Sequence, residues 1–200
     1  MEGFQYPHYS GAPCVNETFA SCQKIFNNNL NISSNADWTD PNEFLRQLNA
    51  VLQRGVTTGL VPLCNAWQQL YNCLGTSYYS CFNPVYLISQ GTGLQPAFQF
   101  TAEILRTQFK CVGGFEQSVK KYDCIISGFQ NTNAIDQCLA TWNQTLNNNF
   151  NQLCQATQNL TTCFMNIFAS CGNEVQWWIC EDVRVGFSLF NCPDLRCYVR

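Results

Sequence analysis

Apolar residues recur along most of the chain at three- and four-residue intervals, the spacing that gathers them on one side of an α-helix. Cys14 to Asn27 carries Val15, Phe19, Cys22 and Phe26 near this register, and a polar loop, Asn28 to Thr39, comes next. Asp40-Pro41-Asn42-Glu43 has the chemistry of a helix start. The carboxylate caps, the proline loses nothing by lacking an N–H at the first position, and a glutamate stands three residues after the cap. Phe44, Leu45, Leu48, Val51 and Leu52 form the face behind it, and Gly55 ends it. A further helix begins near Pro62. Residues 83–96 hold Pro84, Gly91, Gly93 and Pro96 around a short apolar run and read as the main candidate linker. Pro96 opens a helix with Phe98, Ala102, Leu105 and Phe109 on one side, and Gly113-Gly114 breaks it. Phe115 to Phe129 predicts one helix, and Asn131 to Asn147, with Ile135, Cys138, Leu139 and Trp142, another. Glu174 to Phe190 brings Val175, Trp178, Ile179, Val183 and Phe187, and the chain closes with a tail from Cys192-Pro193 to Arg200, to be pinned by Cys197. Strand-type alternation is scarce, so the predicted class is all-α.

Within this pattern one stretch occurs twice at a constant offset, Cys64-x8-Cys73-x7-Cys81 and Cys154-x8-Cys163-x7-Cys171. The copies share Ala66/Ala156, Gln68/Gln158, Leu70/Leu160 and Ser80/Ser170, with aromatic Tyr78 opposite Phe168, and Cys14 to Cys22 repeats the C-x7-C part. Neither copy contains proline. In a helix Cys154 to Cys163 spans about 13 Å and Cys163 to Cys171 about 12 Å, whereas a disulfide needs Cα atoms within roughly 7 Å. A helical copy is therefore a spine whose cysteines bond elsewhere, and Cys14, Cys22, Cys111, Cys124, Cys138, Cys180, Cys192 and Cys197 are enough to serve all six. Gly75 is placed to cap the first spine early and put Cys73 and Cys81 on different elements. Met165 stands at that place in the second, which is expected to run straighter. The predicted architecture is a disulfide-stapled helical bundle built from two related cysteine-rich repeats. It comprises a flexible tail at 1–13, a first half at 14–130 and a second half at 131–200 sharing one core with the first.

Fourteen cysteines, an even number, place the chain near the disulfide scaffolds of oxidising compartments. Zinc is disfavoured, because no C-x2-C occurs and the sole histidine, His8, lies in the tail. The same absence argues against a thiol oxidoreductase. Connectivity stays open, since fourteen cysteines allow on the order of 10⁵ pairings. Met1-Glu-Gly-Phe lacks the basic and apolar segments of a signal peptide and reads as the start of a mature chain carrying an added methionine. No apolar run approaches the roughly 18 residues of a membrane span. Asn16, Asn31, Asn143 and Asn159 head N-x-S/T triplets and are glycosylation acceptors in a secreted chain.

Charged residues make up 12% of the chain and the net charge is −3, so the basic face that nucleic acid requires is missing. Polarity comes instead from 22 asparagines and 18 glutamines, a surface that offers little resistance to self-association. Chemistry is correspondingly sparse. Glu181-Asp182 are adjacent acids, but helical neighbours diverge by about 100°, so a solvated face or a partner for Arg184 is the favoured role. Lys120-Lys121 is an exposed pair, and Gly91-Thr-Gly93 is a turn. No nucleophile elbow, phosphate loop or calcium loop is present, and no catalytic residue, cofactor or metal ligand is assigned. The 28 aromatic residues have two readings: ordinary core, or the lining of an apolar pocket in which Trp177, Trp178, Trp67, Trp142, Tyr78, Tyr79 and Phe98 take part. Of Trp177 and Trp178, one is expected at the surface.

The two cysteine triplets, with Phe109-Lys-Cys111-Val-Gly-Gly, Lys120-Lys-Tyr-Asp-Cys124 and Cys138 between them, resemble the small cysteine-rich haemolymph glycoproteins of arthropods. More loosely, the chain is similar to secreted helical cysteine-rich domains expanded in nematodes. The resemblance spans Cys22 to Cys192 and implies a secreted, all-helical, glycosylated extracellular protein with no catalytic residues to carry over. Poverty in lysine and glutamate departs from that pattern and suits a secreted matrix. The expectation is a secreted, non-enzymatic interaction or structural protein, such as a component of silk or cuticle, whose partners are other extracellular proteins or further copies. The alternative is an extracellular carrier of an apolar small molecule or lipid.

Overall fold

A computed structural model describes residues 11–146 and 149–198; His8 and most of the N-terminal tail lie outside them. Among the described residues the regular structure is entirely helical, and seven disulfides staple the helices. The chain divides into two compact units, Met1–Gly113 and Gly114–Arg200. The division falls at the glycine pair and not at residue 130, because residues 114–130 are tied to the C-terminal helices: Cys124 bonds Cys171, and the Trp178 indole donates to the backbone of Gly114.

In the first unit α1 (Asn16–Leu30) turns Phe19, Cys22, Phe26 and Leu30 inward. It runs three residues beyond the predicted loop start and ends at Asn31, whose φ of 51° is a left-handed conformation that asparagine tolerates. The Asn27 side chain is buried and fixes the adjoining loop, its amide donating to the carbonyls of Ser33 (2.8 Å) and Ala36 (3.0 Å) while its oxygen accepts from Gln23 (2.9 Å). Helix α2 (Pro41–Leu52) starts as predicted, with the Asp40 carboxylate accepting from the Glu43 backbone N–H at 3.1 Å. Phe44, Leu48 and Val51 are buried, while Leu45 and Leu52 lie at the margin. The Glu43 side chain engages Arg46 and Gln47.

A single π-type turn, Val56–Leu60, joins α2 to the first spine, α3 (Val61–Leu74). Gly59 is required there, since a Cβ would stand 2.3 Å from the Val51 carbonyl oxygen. Gly75, at φ 51°, ends α3, and Cys81 moves onto the separate α4 (Tyr78–Cys81), as the glycine foretold. The segment expected to be a linker is not one. It contains a helix, α5 (Pro84–Ser89), capped by the Asn83 side chain on the Val85 N–H at 2.9 Å, and it lies inside the first unit. Helix α6 (Leu94–Cys111) begins two residues before Pro96, and its inward stripe is Ala97, Phe100 and Ile104; Phe98 and Ala102 are only half-buried. Helix α3 packs on α1 and α6, and α5 packs on α6.

In the second unit the expected single helix at 115–129 is two, α7 (Phe115–Lys120) and α8 (Tyr122–Gln130). Helix α7 is anchored by Trp178, whose indole N–H lies 3.0 Å from both the Gly114 carbonyl and the Ser118 hydroxyl, while α8 is tied by Cys124. A break at Lys121 satisfies both anchors. Helix α9 (Thr132–Leu146) presents Cys138 and Leu146 to α10 (Leu153–Ile167), the second spine, which also packs on α11 (Asn173–Gly186). Lacking the glycine, α10 continues three positions beyond the aligned end of α3. Cys171 nevertheless lies past it in a 3-10 turn, which corrects the expectation of one rod carrying three cysteines. The turn comes directly after Phe168, fully buried beside Phe129 (ring centroids 5.1 Å) and against Gly128, where a Cβ would come within 2.2 Å of the Phe168 ring.

Candidate functional site

No sulfur of either spine bonds within its own spine, and no cysteine is free. In the first unit the six cysteines in chain order pair Cys14–Cys81, Cys22–Cys73 and Cys64–Cys111. In the second, once Cys180 and Cys197 are set aside, Cys124–Cys171, Cys138–Cys163 and Cys154–Cys192 repeat that order: first with fifth, second with fourth, third with sixth. Cys180–Cys197 is additional and pins the C-terminal tail, as its position led us to expect. Every bridge closes within one unit. Each spine is thus riveted through its second cysteine to a helix earlier in the chain, α1 for the first and α9 for the second, and through its first cysteine to a segment later in the chain. Aligned positions also share their environment: Ala66 and Ala156, Leu70 and Leu160, and Tyr78 and Phe168 are buried, and Gln68 and Gln158 are exposed.

The aromatic residues considered for a pocket belong largely to packing. In the first unit a continuous run of rings links Trp38 to Phe19 (4.3 Å), Phe19 to Phe82 (5.2 Å), Phe82 to Tyr78 (4.9 Å) and Tyr78 to Tyr71 (4.8 Å). A second branch runs from Phe82 through Phe100 to Phe44. The Tyr78 hydroxyl is fully buried and accepts from the Trp67 indole N–H at 2.9 Å, and burial pushes its pKa up strongly. In the second unit Trp142 meets Phe187 edge-on at 5.5 Å and its indole N–H reaches the Thr157 hydroxyl at 3.4 Å. Trp178 is 1% exposed and its neighbour Trp177 only half-buried, so one of the pair does meet the surface.

Of the charged candidates, Glu181 and Lys120 form local ion pairs, and Glu181 and Asp182 are both buried, so the solvated face expected as one role for them is not what they form. Arg184 lies on Glu181 with nitrogen-to-oxygen distances of 2.5 to 3.1 Å, the partnership expected of it. Lys120 engages Glu116 one turn back, and each shifts the other's pKa away from neutrality, that of the lysine upward and that of the glutamate downward. A buried pair also escaped sequence reasoning: Glu103 and Lys110, two turns apart on α6, are both buried and 3.4 Å apart. A spacing of seven on one helix face was the signal available for it. Asn16, Asn31, Asn143 and Asn159 are all exposed, with Asn159 accepting from Gln155 at 3.2 Å. Among the described residues no group of three histidine, cysteine or acidic side chains is placed to hold a metal ion. No helix there is long and apolar enough to cross a membrane.

A second feature, also legible in the sequence, is where charge is missing. Residues 55–102 and 137–173 contain no Asp, Glu, Lys, Arg or His, and these two runs enclose the two spines. The exposed sides of α3, α5, α10 and most of α9 are accordingly built from amides, hydroxyls and a few aliphatic side chains. No protein-family model, curated protein or solved structure matches the chain.

Proposed function

We propose that the chain is a secreted, non-enzymatic extracellular protein that works by association, as an interaction or structural component of a secreted material such as silk or cuticle. The carrying observation is that all fourteen cysteines are paired. Seven bridges in a chain of this size belong to an oxidising compartment, where they persist. The amide-rich, weakly charged surface supports the second half of the reading, because long-range repulsion between copies is small at a net charge of −3. We further infer that the two units descend from one cysteine module. The shared order of pairing supports this, as do the matched burial positions on the two spines. The arthropod haemolymph resemblance points to the same compartment.

The carrier alternative drew its support from the aromatic residues, and most of those rings already have one another, or the backbone, as partners. That favours the structural reading. Size-exclusion chromatography with light scattering, at rising concentration and at several pH values, tests the proposal. Concentration-dependent association that persists in high salt is expected. A monomer under every condition contradicts association with itself, and co-purification of a stoichiometric lipid from the native source would instead favour the carrier.

A further inference from the structure

The charge-free run of the first unit ends in a helical hairpin, α5, the turn at 90–93 and the start of α6, and this hairpin carries the two most exposed large aliphatic side chains among the described residues of that unit, Val85 and Leu94. Val85 is 74% exposed and Leu94 65%, and Ile88, one turn from Val85 on the same side of α5, is exposed as well. Their neighbours explain why the hairpin holds this shape without burying them. Leu87 faces inward against the core, Asn83 caps α5, and the Thr92 N–H returns to the Leu87 carbonyl at 3.1 Å. The aliphatic residues are therefore held outward by a well-bonded framework, and leaving them in water has a cost that grows with their apolar area.

The geometry points to this hairpin, through Val85, Ile88 and Leu94, as a surface on which a second copy of the chain docks. Three observations select that occupant. Residues 55–102 contain no ionisable side chain of Asp, Glu, Lys, Arg or His, so a charged partner gains no ion pair from the hairpin itself and loses hydration, whereas two copies of the hairpin meet no like-charge repulsion from its own side chains. None of the four N-x-S/T acceptors lies in this run, so the face stays bare if the chain is glycosylated. Val85 and Ile88, on one side of a six-residue helix, form a compact patch that can meet its own mate across a two-fold axis, the commonest arrangement of soluble oligomers. This deepens the reading of the protein as a self-associating component and rests on it.

The test is sedimentation velocity on the full oxidised chain, comparing wild type with V85E/L94E and with a control, L139E/F150E, that adds the same charge at exposed apolar positions of the second unit. The control and the variant should both melt like wild type, since all four side chains are exposed. The expected result is association of wild type and control, weakened by about tenfold or more in V85E/L94E. Equal association of all three overturns the hairpin as the surface but leaves self-association standing. A monomeric wild type removes self-association and the hairpin contact together. If the monomeric wild type binds neutral phosphatidylcholine vesicles and V85E/L94E does not, a lipid surface is the occupant and the inference is overturned.

Discussion

The first unit, with three bridges, buries twenty-three apolar side chains among the described residues, whereas the second, with four, buries thirteen. The first is organised around touching aromatic rings on α1, α2, α4 and α6, and its disulfides close loops that a sizeable core already holds. The second has helices of similar length, a core concentrated on α10 and α11, and an extra bridge at its C-terminal end. The difference shows two ways of holding a small domain together. Where apolar burial thins, cross-links that restrict the unfolded chain take a larger share of the stability.

Removing bridges probes that contrast most severely. Serine pairs replacing Cys22–Cys73 or Cys138–Cys163 are each expected to cost about 3 to 4.5 kcal/mol. The longer loop between Cys22 and Cys73 should make that loss about 0.6 kcal/mol larger. Despite the smaller loss, the second unit is expected to unfold first, because less core remains; calorimetry of the two double variants distinguishes the transitions. A change of the same size in both melting profiles would remove the distinction between the units.

Two glycines separate the units at intermediate scale. Gly128→Ala drives a methyl group into the buried Phe168 ring, with an expected loss of about 1 to 3 kcal/mol or more in the second unit. Gly75→Ala meets nothing within 4 Å, but its φ of 51° is unfavourable for alanine. The expected loss there is about 1 kcal/mol. Denaturant unfolding followed by tryptophan fluorescence gives both values.

Tyr78 and Phe168 occupy aligned positions, and only one titrates. Because the folded-state pKa of Tyr78 lies far above its ordinary value of 10.0, the stability that its protonated form contributes is complete below pH 10 and is lost as pH rises beyond it. The first unit should therefore weaken steeply in alkali. Tyr78→Phe should flatten that dependence while costing about 1 to 2 kcal/mol at neutral pH, since the Trp67 N–H loses its acceptor. Alkaline denaturation curves of variant and wild type provide the measurement, and identical slopes would contradict the assignment.

The smallest effect is expected at Glu43, whose pKa is held down at about 2, first by the hydrogen bond from Arg46 and then by that from Gln47. Its contribution is complete above the ordinary value of 4.5 and is lost as pH falls towards 2. The group is partly exposed to solvent, so the effect is slight and fades with salt. Acid unfolding of Glu43→Gln at low and high salt checks it.

Much of the fold was legible because local signals agreed with tertiary packing. The Asp40-Pro41 start, the Gly75 stop and the stripe of Val175, Trp178, Ile179 and Val183 are decided by neighbours in sequence. What failed to show were places where a distant partner decides. Lys121 breaks a helix because Trp178 and Cys171 hold the pieces on either side of it. Cys171 leaves its spine where Phe168 buries itself against Gly128 and Phe129. The stretch around Pro84 is helical because proline at a first position and Asn83 as cap favour that start, and Leu87 finds the core. For the candidate site, spacing foretold that spine cysteines bond outward, but pairing order is a property of the packed helices and could not be read from it.

Mass spectrometry of a non-reduced digest decides whether two separately riveted units make up the chain. Cys14–Cys81, Cys22–Cys73 and Cys64–Cys111 should appear in one set of linked peptides, and Cys124–Cys171, Cys138–Cys163, Cys154–Cys192 and Cys180–Cys197 in another. A bridge joining residues on opposite sides of Gly113, or a free thiol in protein recovered from its native source, would contradict that arrangement.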